Sequence, residues 1–123
     1  MSVSFKTLGT AGEQAVIAWL RAQGFQIHHH SYRTRWAEID IIAQKGNTVA
    51  FIEVKTRSHI YFHTSEIIVP GKQRRMIRAA QAYASKNQLY AVIIRFDIAL
   101  VTWDNNKPIV TYIPNAFQPI QEV

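Results

Sequence analysis

The sequence has no cysteine, no long apolar run and few acidic residues. Without cysteine, a disulfide scaffold and a zinc ribbon are excluded, which agrees with a reducing cytoplasm. No stretch of about eighteen apolar residues is present, and the start Met-Ser-Val-Ser-Phe-Lys lacks the apolar segment of a signal peptide. We therefore expect a soluble, cytoplasmic protein without a membrane partner.

The charge balance points to a polyanionic partner. The 123 residues include fourteen Lys and Arg but only eight Asp and Glu, which gives a net charge of +6. Such an excess favours nucleic acid through the release of counterions, although many small domains are basic for solubility alone. With 48% hydrophobic residues, the chain can build one core, so we expect one domain over residues 1–123.

The residue pattern predicts an α/β fold with the order α-β-β-β-α-β-β. After ten frayed residues, Thr10 and Glu13 have the spacing of a capping box, which predicts a helix over 14–23 closed by Gly24. A second helix should run from Pro70 to about Lys86. Strands are predicted over 25–32, 37–43, 48–57, 89–101 and 108–113.

The connections predict a mixed sheet of about five strands with flanking helices. The second helix is long enough for a right-handed crossover, so the third and fourth strands should be parallel. The second and third strands should form a hairpin around Gly46-Asn47, whose register sets Asp40 opposite Glu53 and Glu38 opposite Lys55. Alternation then gives one apolar face and one charged face.

Two opposed carboxylates require compensation, because like charges roughly 5 Å apart across a sheet are destabilising. Mg²⁺ is commonly held by one or two carboxylates, with water and substrate phosphate completing its shell. Lys55, on the same face as Glu53, can orient an attacking water or stabilise charge developing on phosphorus. The alternative is a solvated face on which Glu38 and Lys55 form a simple ion pair.

The spacing of Asp40, twelve further residues and then Glu53-Val54-Lys55 resembles the PD-(D/E)xK nuclease motif. The chain also resembles the small bacterial YraN family in segments spread over nearly its whole length: Gly12-Glu13-Gln-Ala, Tyr32-Arg33, Glu38-Ile-Asp-Ile-Ile42, Phe51-Ile-Glu-Val-Lys-Thr-Arg57, Lys72-Gln-Arg-Arg75, Arg95-Phe-Asp97 and Asn115-Ala-Phe117. It departs from these patterns at Ile39, where the motif's name has proline, and at Ala37, where the family usually has glycine.

The resemblance implies a restriction-endonuclease-like domain, the fold of archaeal Holliday-junction resolvases. It implies a nuclease, acting on DNA rather than RNA, in which Asp40, Glu53 and Lys55 are catalytic and Mg²⁺ or Mn²⁺ is the cofactor. Resolvases of this fold act as dimers, so a homodimer is a further expectation, although no heptad supports it. In related nucleases a glutamate on the first helix often joins the metal shell, which makes Glu13 a candidate ligand beside Asp40, Glu53 and the Val54 carbonyl. Its capping-box role competes with that interpretation.

Basic side chains surround the predicted centre. Lys72, Arg75 and Arg78 recur every third residue on the second helix, beside Arg74, and form a stripe suited to phosphate contacts or simply a solvated face. Arg33, Arg35 and Arg57 would extend this surface. Trp36 and Tyr32 are able to stack on unpaired bases, although core packing is the alternative.

Other polar residues have simpler interpretations. In His28-His29-His30, alternation lets only His28 and His30 share a metal ion. His59 and His63 lie in an aperiodic segment with the character of a substrate flap or an ordinary loop, and Arg95 and Asp97 should form a structural ion pair. For the whole chain, the rivals to a nuclease are a nucleic-acid-binding module with little turnover and an interaction scaffold.

Overall fold

The computed structural model describes residues 5–57 and 68–118. Its elements are α1 (Phe5–Ala22), β1 (Gln26–Arg33), β2 (Glu38–Lys45), β3 (Thr48–Thr56), α2 (Pro70–Lys86), β4 (Ile93–Asp104) and β5 (Lys107–Phe117). The strands form a sheet in the order β1-β2-β3-β4-β5, in which β3 and β4 are parallel and the other neighbours are antiparallel. The predicted α/β class, element order and parallel crossover are confirmed.

Helix α1 begins at Phe5 rather than at Gln14. Thr10 and Glu13 therefore lie inside the helix, and both the capping box and the frayed start are wrong for the residues described. At Gly12 the helix packs closely on the sheet, since a Cβ atom there would lie 2.5 Å from Thr56 Oγ1. Glu13 therefore does not serve as the acidic residue of a capping box, the role that competed with metal binding in the sequence interpretation.

The end of α1 is the predicted one. Gly24 has a φ of 93°, a left-handed conformation that glycine adopts without a steric penalty. The Phe25 N–H bonds the Leu20 carbonyl at 2.9 Å and the Gly24 N–H bonds the Arg21 carbonyl at 3.0 Å. These two bonds form a Schellman motif that turns the chain directly into β1.

Hydrophobic cores cover both faces of the sheet. On one face, Val16 and Leu20 of α1 pack against Ile41 and Ile52, and on the other face Tyr83 of α2 packs with Phe51. The expectation of one apolar and one charged, solvated face is therefore wrong. The physical reason is the parallel crossover, which carries α2 across the face opposite α1. No helix in the described residues is long and apolar enough to span a membrane.

A buried polar network ties β4 to β5. Asp97 is fully buried and accepts hydrogen bonds from Arg95 Nε at 2.9 Å, from the Asn115 N–H at 2.8 Å and from the Tyr112 hydroxyl. Burial and the neighbouring Asp97 carboxylate raise the pKa of Tyr112. The predicted Arg95–Asp97 ion pair is confirmed, and its link to Asn115 shows that two separate segments of the family resemblance serve one structural network.

Candidate active site

The predicted centre lies at one end of the sheet, where β2 starts and β3 ends. The register between these strands is the predicted one, with Ile41 opposite Ile52, but the ladder ends at that pair. Beyond it, Asp40 Oδ2 accepts a hydrogen bond from the Val54 N–H at 2.8 Å. A side chain thus replaces the next ladder contact, and the strand ends are held together through Asp40. Val54 thus contributes its N–H to the site, and the role of its carbonyl as a metal ligand stays a prediction.

Glu53 is buried, with 4% of its surface exposed. Its Oε1 atom lies 2.6 Å from Lys72 Nζ and 3.3 Å from Lys55 Nζ. Two ammonium groups therefore compensate for taking one carboxylate out of water. The interpretation of Glu53 as part of a solvated face is therefore wrong. The predicted Glu38–Lys55 pair is also wrong, because Glu38 instead contacts Arg33 at 3.5 Å near the surface.

Asp40 has an unusual affinity for protons. Burial, followed by the nearby charge of Glu53, raises its pKa from the ordinary 3.8 to about 7, although the bond from the Val54 N–H acts in the opposite direction. Near neutral pH this carboxyl group is therefore divided between its acid and its anion. A cation bound between the two carboxylates would remove the repulsion that holds the proton on Asp40.

Glu13 borders the same centre from α1. Burial and the charges of Glu38 and Glu53 raise its pKa, while His30 acts to lower it. The charge of Glu13 in turn contributes to the raised pKa of Asp40. Several acids at this end of the sheet therefore share one electrostatic environment, and the mid-helix position of Glu13 leaves its carboxylate available to that environment.

The donor set fits a magnesium-type ion better than a zinc-type ion. Among residues 5–57 and 68–118, no three acidic or histidine side chains are assembled to hold a metal, so Glu13 is not a preformed third ligand. Asp40 and Glu53 alone meet the requirement of Mg²⁺ for one or two carboxylates, whereas a catalytic zinc site needs three protein ligands. Asp40 Oδ1 accepts no hydrogen bond from the described part of the chain and is a suitable donor oxygen.

Lys72 is the site residue whose place the sequence interpretation missed. We predicted it in a phosphate-contacting stripe, whereas its ammonium group bonds the buried Glu53. The crossover carried the signal: a helix that follows β3 and returns to a parallel β4 must begin beside the carboxyl end of β3. The topology therefore implies that Lys72, in the first turn of α2, lies near Glu53-Val54-Lys55.

The structure gives local contacts for several of the remaining basic residues. Arg35 Cζ is 4.5 Å from the centroid of the Trp36 ring, and Arg57 is exposed just beyond β3 and donates to the Thr56 carbonyl. A cavity of about 250 Å³ is lined by Trp36, Gly71, Arg74, Arg75 and Arg78. Tyr32 packs against Tyr83 with ring centroids 5.3 Å apart, so it belongs to the core, as the alternative interpretation had it.

The histidine run does not form a shared metal site. A register shift between Ile27 and His29 interrupts the alternation, so His28 Nδ1 lies 3.2 Å from the Tyr83 hydroxyl and His29 also packs against Tyr83. His30 acts instead on Glu13 of α1. The predicted common face of His28 and His30 is therefore wrong. His59 and His63 lie outside the described residues.

A mixed sheet of this order, with two flanking helices and an Asp-Glu-Lys set at one end, defines a restriction-endonuclease-like α/β protein. The chain belongs to the uncharacterised protein family UPF0102, whose family model matches residues 12–101, in agreement with the YraN resemblance. A UPF0102 protein of Geobacter metallireducens is 34% identical over 96% of this chain and 98% of its own. UPF0102 proteins of Alkaliphilus metalliredigens and Bacteroides thetaiotaomicron are 42% and 41% identical, each over 91% of this chain and over 98% and 93% of their own.

Proposed function

We propose that this protein is a metal-dependent nuclease that hydrolyses phosphodiester bonds of nucleic acid, with DNA as the favoured substrate. One observation supports this best: Lys55 and Lys72 both contact the buried carboxylate of Glu53, and the neighbouring Asp40 has a pKa of about 7. Charged groups gathered out of water, together with a carboxyl group whose pKa is strongly raised, are typical of functional sites.

In this proposal Asp40 and Glu53 hold Mg²⁺ or Mn²⁺, while Glu13 and the Val54 carbonyl are further candidate ligands. When bound, the ion supplies Lewis-acid chemistry and lowers the pKa of water. Lys55, 22% exposed and 3.3 Å from Glu53, reaches solvent at the site, where it orients the attacking water or stabilises the charge developing on phosphorus. Lys72 holds Glu53 in place from α2, and the surrounding arginines bind the phosphate backbone.

A nucleic-acid-binding module with little turnover is the second candidate. It is favoured by the 2.6 Å contact between Lys72 and Glu53, which already neutralises one carboxylate from within the chain, and by the lack of a preformed three-ligand set in the described residues. Both candidates use the same positive surface, so binding alone does not separate them. Cleavage that depends on Glu53 and Lys55 does.

The test incubates purified protein with plasmid, single-stranded and four-way-junction DNA in Mg²⁺ or Mn²⁺. Glu53→Gln and Lys55→Ala should abolish cleavage, whereas Glu38→Gln on the exposed ion pair and Lys86→Ala at the far end of α2 should retain it. Equal cleavage by all variants would identify a contaminant. If the wild type binds DNA but cleaves none of the three substrates with either metal ion, the second candidate is established instead.

A further inference from the structure

The cavity of about 250 Å³ described above is open to solvent and lies between α2 and the loop that joins β1 to β2. Arg74, Arg75 and Arg78 line it together with Trp36. None of the three forms an ion pair with an acid in the described residues, although Arg33 and Arg95 both do. The cavity therefore combines an aromatic wall with positive charge that the described chain leaves unbalanced.

The guanidinium groups of Arg74 and Arg75 converge. A Cβ atom built on Gly71 would lie 3.4 Å from Arg75 Nη1 and 3.9 Å from Arg74 Nη2. Both side chains therefore reach back over the first turn of α2, although like charges repel each other. An anion between them would relieve that repulsion, and guanidinium groups bind phosphate oxygens through paired N–H donors.

The loop that carries Trp36 is held rigidly. Thr34 Oγ1 donates to the Ala37 carbonyl at 2.9 Å and accepts from the N–H groups of Trp36 and Ala37 at 3.1 and 3.0 Å. Trp36 is half-buried, the turn holds the backbone that carries it, and its ring is contacted by Arg35. A partly exposed ring beside two converging guanidinium groups suits one ligand component, an unpaired base, because every base has a face that stacks on an aromatic ring.

We infer that this cavity, which we call the Trp36 pocket, binds an unpaired nucleotide, with its base against Trp36 and its phosphate between Arg74 and Arg75. The inference rests on the proposed function and specifies its substrate as a strand with an unpaired segment, rather than continuous duplex. Lys72 belongs to the same helical turn as these arginines and contacts Glu53, so a nucleotide in the pocket lies next to the proposed catalytic centre. A base within a duplex is stacked and paired, so it must first be unpaired and flipped out, at a cost in free energy, before it enters such a pocket.

The test measures fluorescence anisotropy in EDTA, without any requirement for a metal or cleavage, on a labelled single-stranded oligothymidine and a blunt duplex of equal length. Trp36→Ala should weaken binding of the single strand on the order of ten-fold and leave duplex binding nearly unchanged. Trp36→Phe should restore most of the loss, because it keeps an aromatic ring. The exposed pair Arg74→Gln and Arg75→Gln should each weaken single-strand binding more than the control variants Arg21→Gln and Lys86→Gln, which remove the same charge elsewhere.

Quenching of tryptophan fluorescence gives an independent readout. The single strand should quench the wild type and Trp103→Phe, whose replaced ring lies on β4 outside the pocket, but not Trp36→Phe. The pocket would be overturned if Trp36→Ala lost equal affinity for single strand and duplex. It would also be overturned if Arg74→Gln and Arg75→Gln weakened binding no more than the control variants do. If single-strand binding depends on Trp36 but the protein cleaves no substrate, the pocket is supported and the nuclease proposal is rejected. If the protein cleaves DNA and Trp36→Ala keeps the same preference between single strand and duplex, the nuclease proposal is supported and the pocket is rejected.

Discussion

Lys72 Nζ lies 2.6 Å from Glu53 Oε1, so a helix on one face of the sheet and a strand within it share a partly buried ion pair. Lys55 adds a second ammonium group at 3.3 Å on the same oxygen. Glu53 is thereby the common partner of both lysines, and the geometry of the site depends on it.

Replacing Glu53 with Gln should therefore affect stability as well as activity. Both lysines would lose their carboxylate while remaining partly buried, which we expect to lower the free energy of unfolding by about 1–3 kcal/mol. Urea denaturation monitored by circular dichroism measures this loss. The matched variant Glu38→Gln, on an exposed ion pair, should change stability by less than about 1 kcal/mol. Equal effects of the two variants would contradict the structural role assigned to Glu53.

Removing Lys72 should strengthen metal binding. Its ammonium group competes with any cation for Glu53 Oε1, so Lys72→Met should lower the Mn²⁺ concentration needed to raise the melting temperature, on the order of ten-fold. Differential scanning fluorimetry across a Mn²⁺ titration measures the shift. Lys86→Met, at the other end of α2, serves as the control and should titrate like the wild type. A weaker response to Mn²⁺ in Lys72→Met would show that the lysine assists the ion rather than competing with it.

Asp40 should make stability fall as pH rises. Its pKa is about 7 in the folded protein against an ordinary 3.8, so between these values the folded state binds more protons than the unfolded state. By linkage, the free energy of unfolding then decreases as pH increases from about 4 to 7, by no more than about 4 kcal/mol. Urea denaturation at pH 4, 6 and 8 in EDTA measures the slope.

The variant Asp40→Asn isolates this contribution. Its amide oxygen can still accept the Val54 N–H, while the charge is gone, so it should match the wild type near pH 4 and exceed its stability at pH 8. Glu38→Gln, on the same strand but exposed, should leave the pH slope nearly as it is in the wild type. Lower stability of Asp40→Asn than of the wild type at pH 8 would refute the raised pKa. Mn²⁺ should stabilise the wild type at pH 8 and have little effect on this variant.

Asp97→Asn tests the network between β4 and β5. The substitution removes the carboxylate from a fully buried group of hydrogen bonds and leaves the Arg95 guanidinium without its counter-charge, which should cost about 3–5 kcal/mol. Asp104→Asn, exposed at the end of the same strand, should cost less than about 0.5 kcal/mol. A similar small cost for both would mean that Asp97 is not a structural centre.

Local sequence signals predicted the fold where a chain segment determines its own structure. Pro70-Gly71 fixed the start of α2, Gly24 fixed the end of α1, and the turn at Gly46 gave the register of β2 and β3. The start of α1 was mispredicted because Thr10 and Glu13 have the same spacing at a helix terminus and within a helix. Only tertiary packing distinguishes the two.

The composition of the site was more predictable than its environment. Asp40, Glu53 and Lys55 emerged from spacing and alternation, and the structure brings them together. Alternation does not say what covers each face, however, so the burial of Glu53 and its bond to Lys72 depended on the path of α2. The histidine interpretation failed for a related reason, because a register shift in β1 changes the face on which the following side chains lie.

Gly12 leaves no room for a side chain between α1 and Thr56 of β3, because a Cβ atom there would lie 2.5 Å from Thr56 Oγ1. A methyl group there would have to displace the Thr56 hydroxyl or shift the helix away from β3. Glu13 is the next residue, so a shift of the helix would also move its carboxylate relative to Asp40. Gly12→Ala therefore tests whether the distance between α1 and β3 tunes the acidity of Asp40 without altering any group that bears charge.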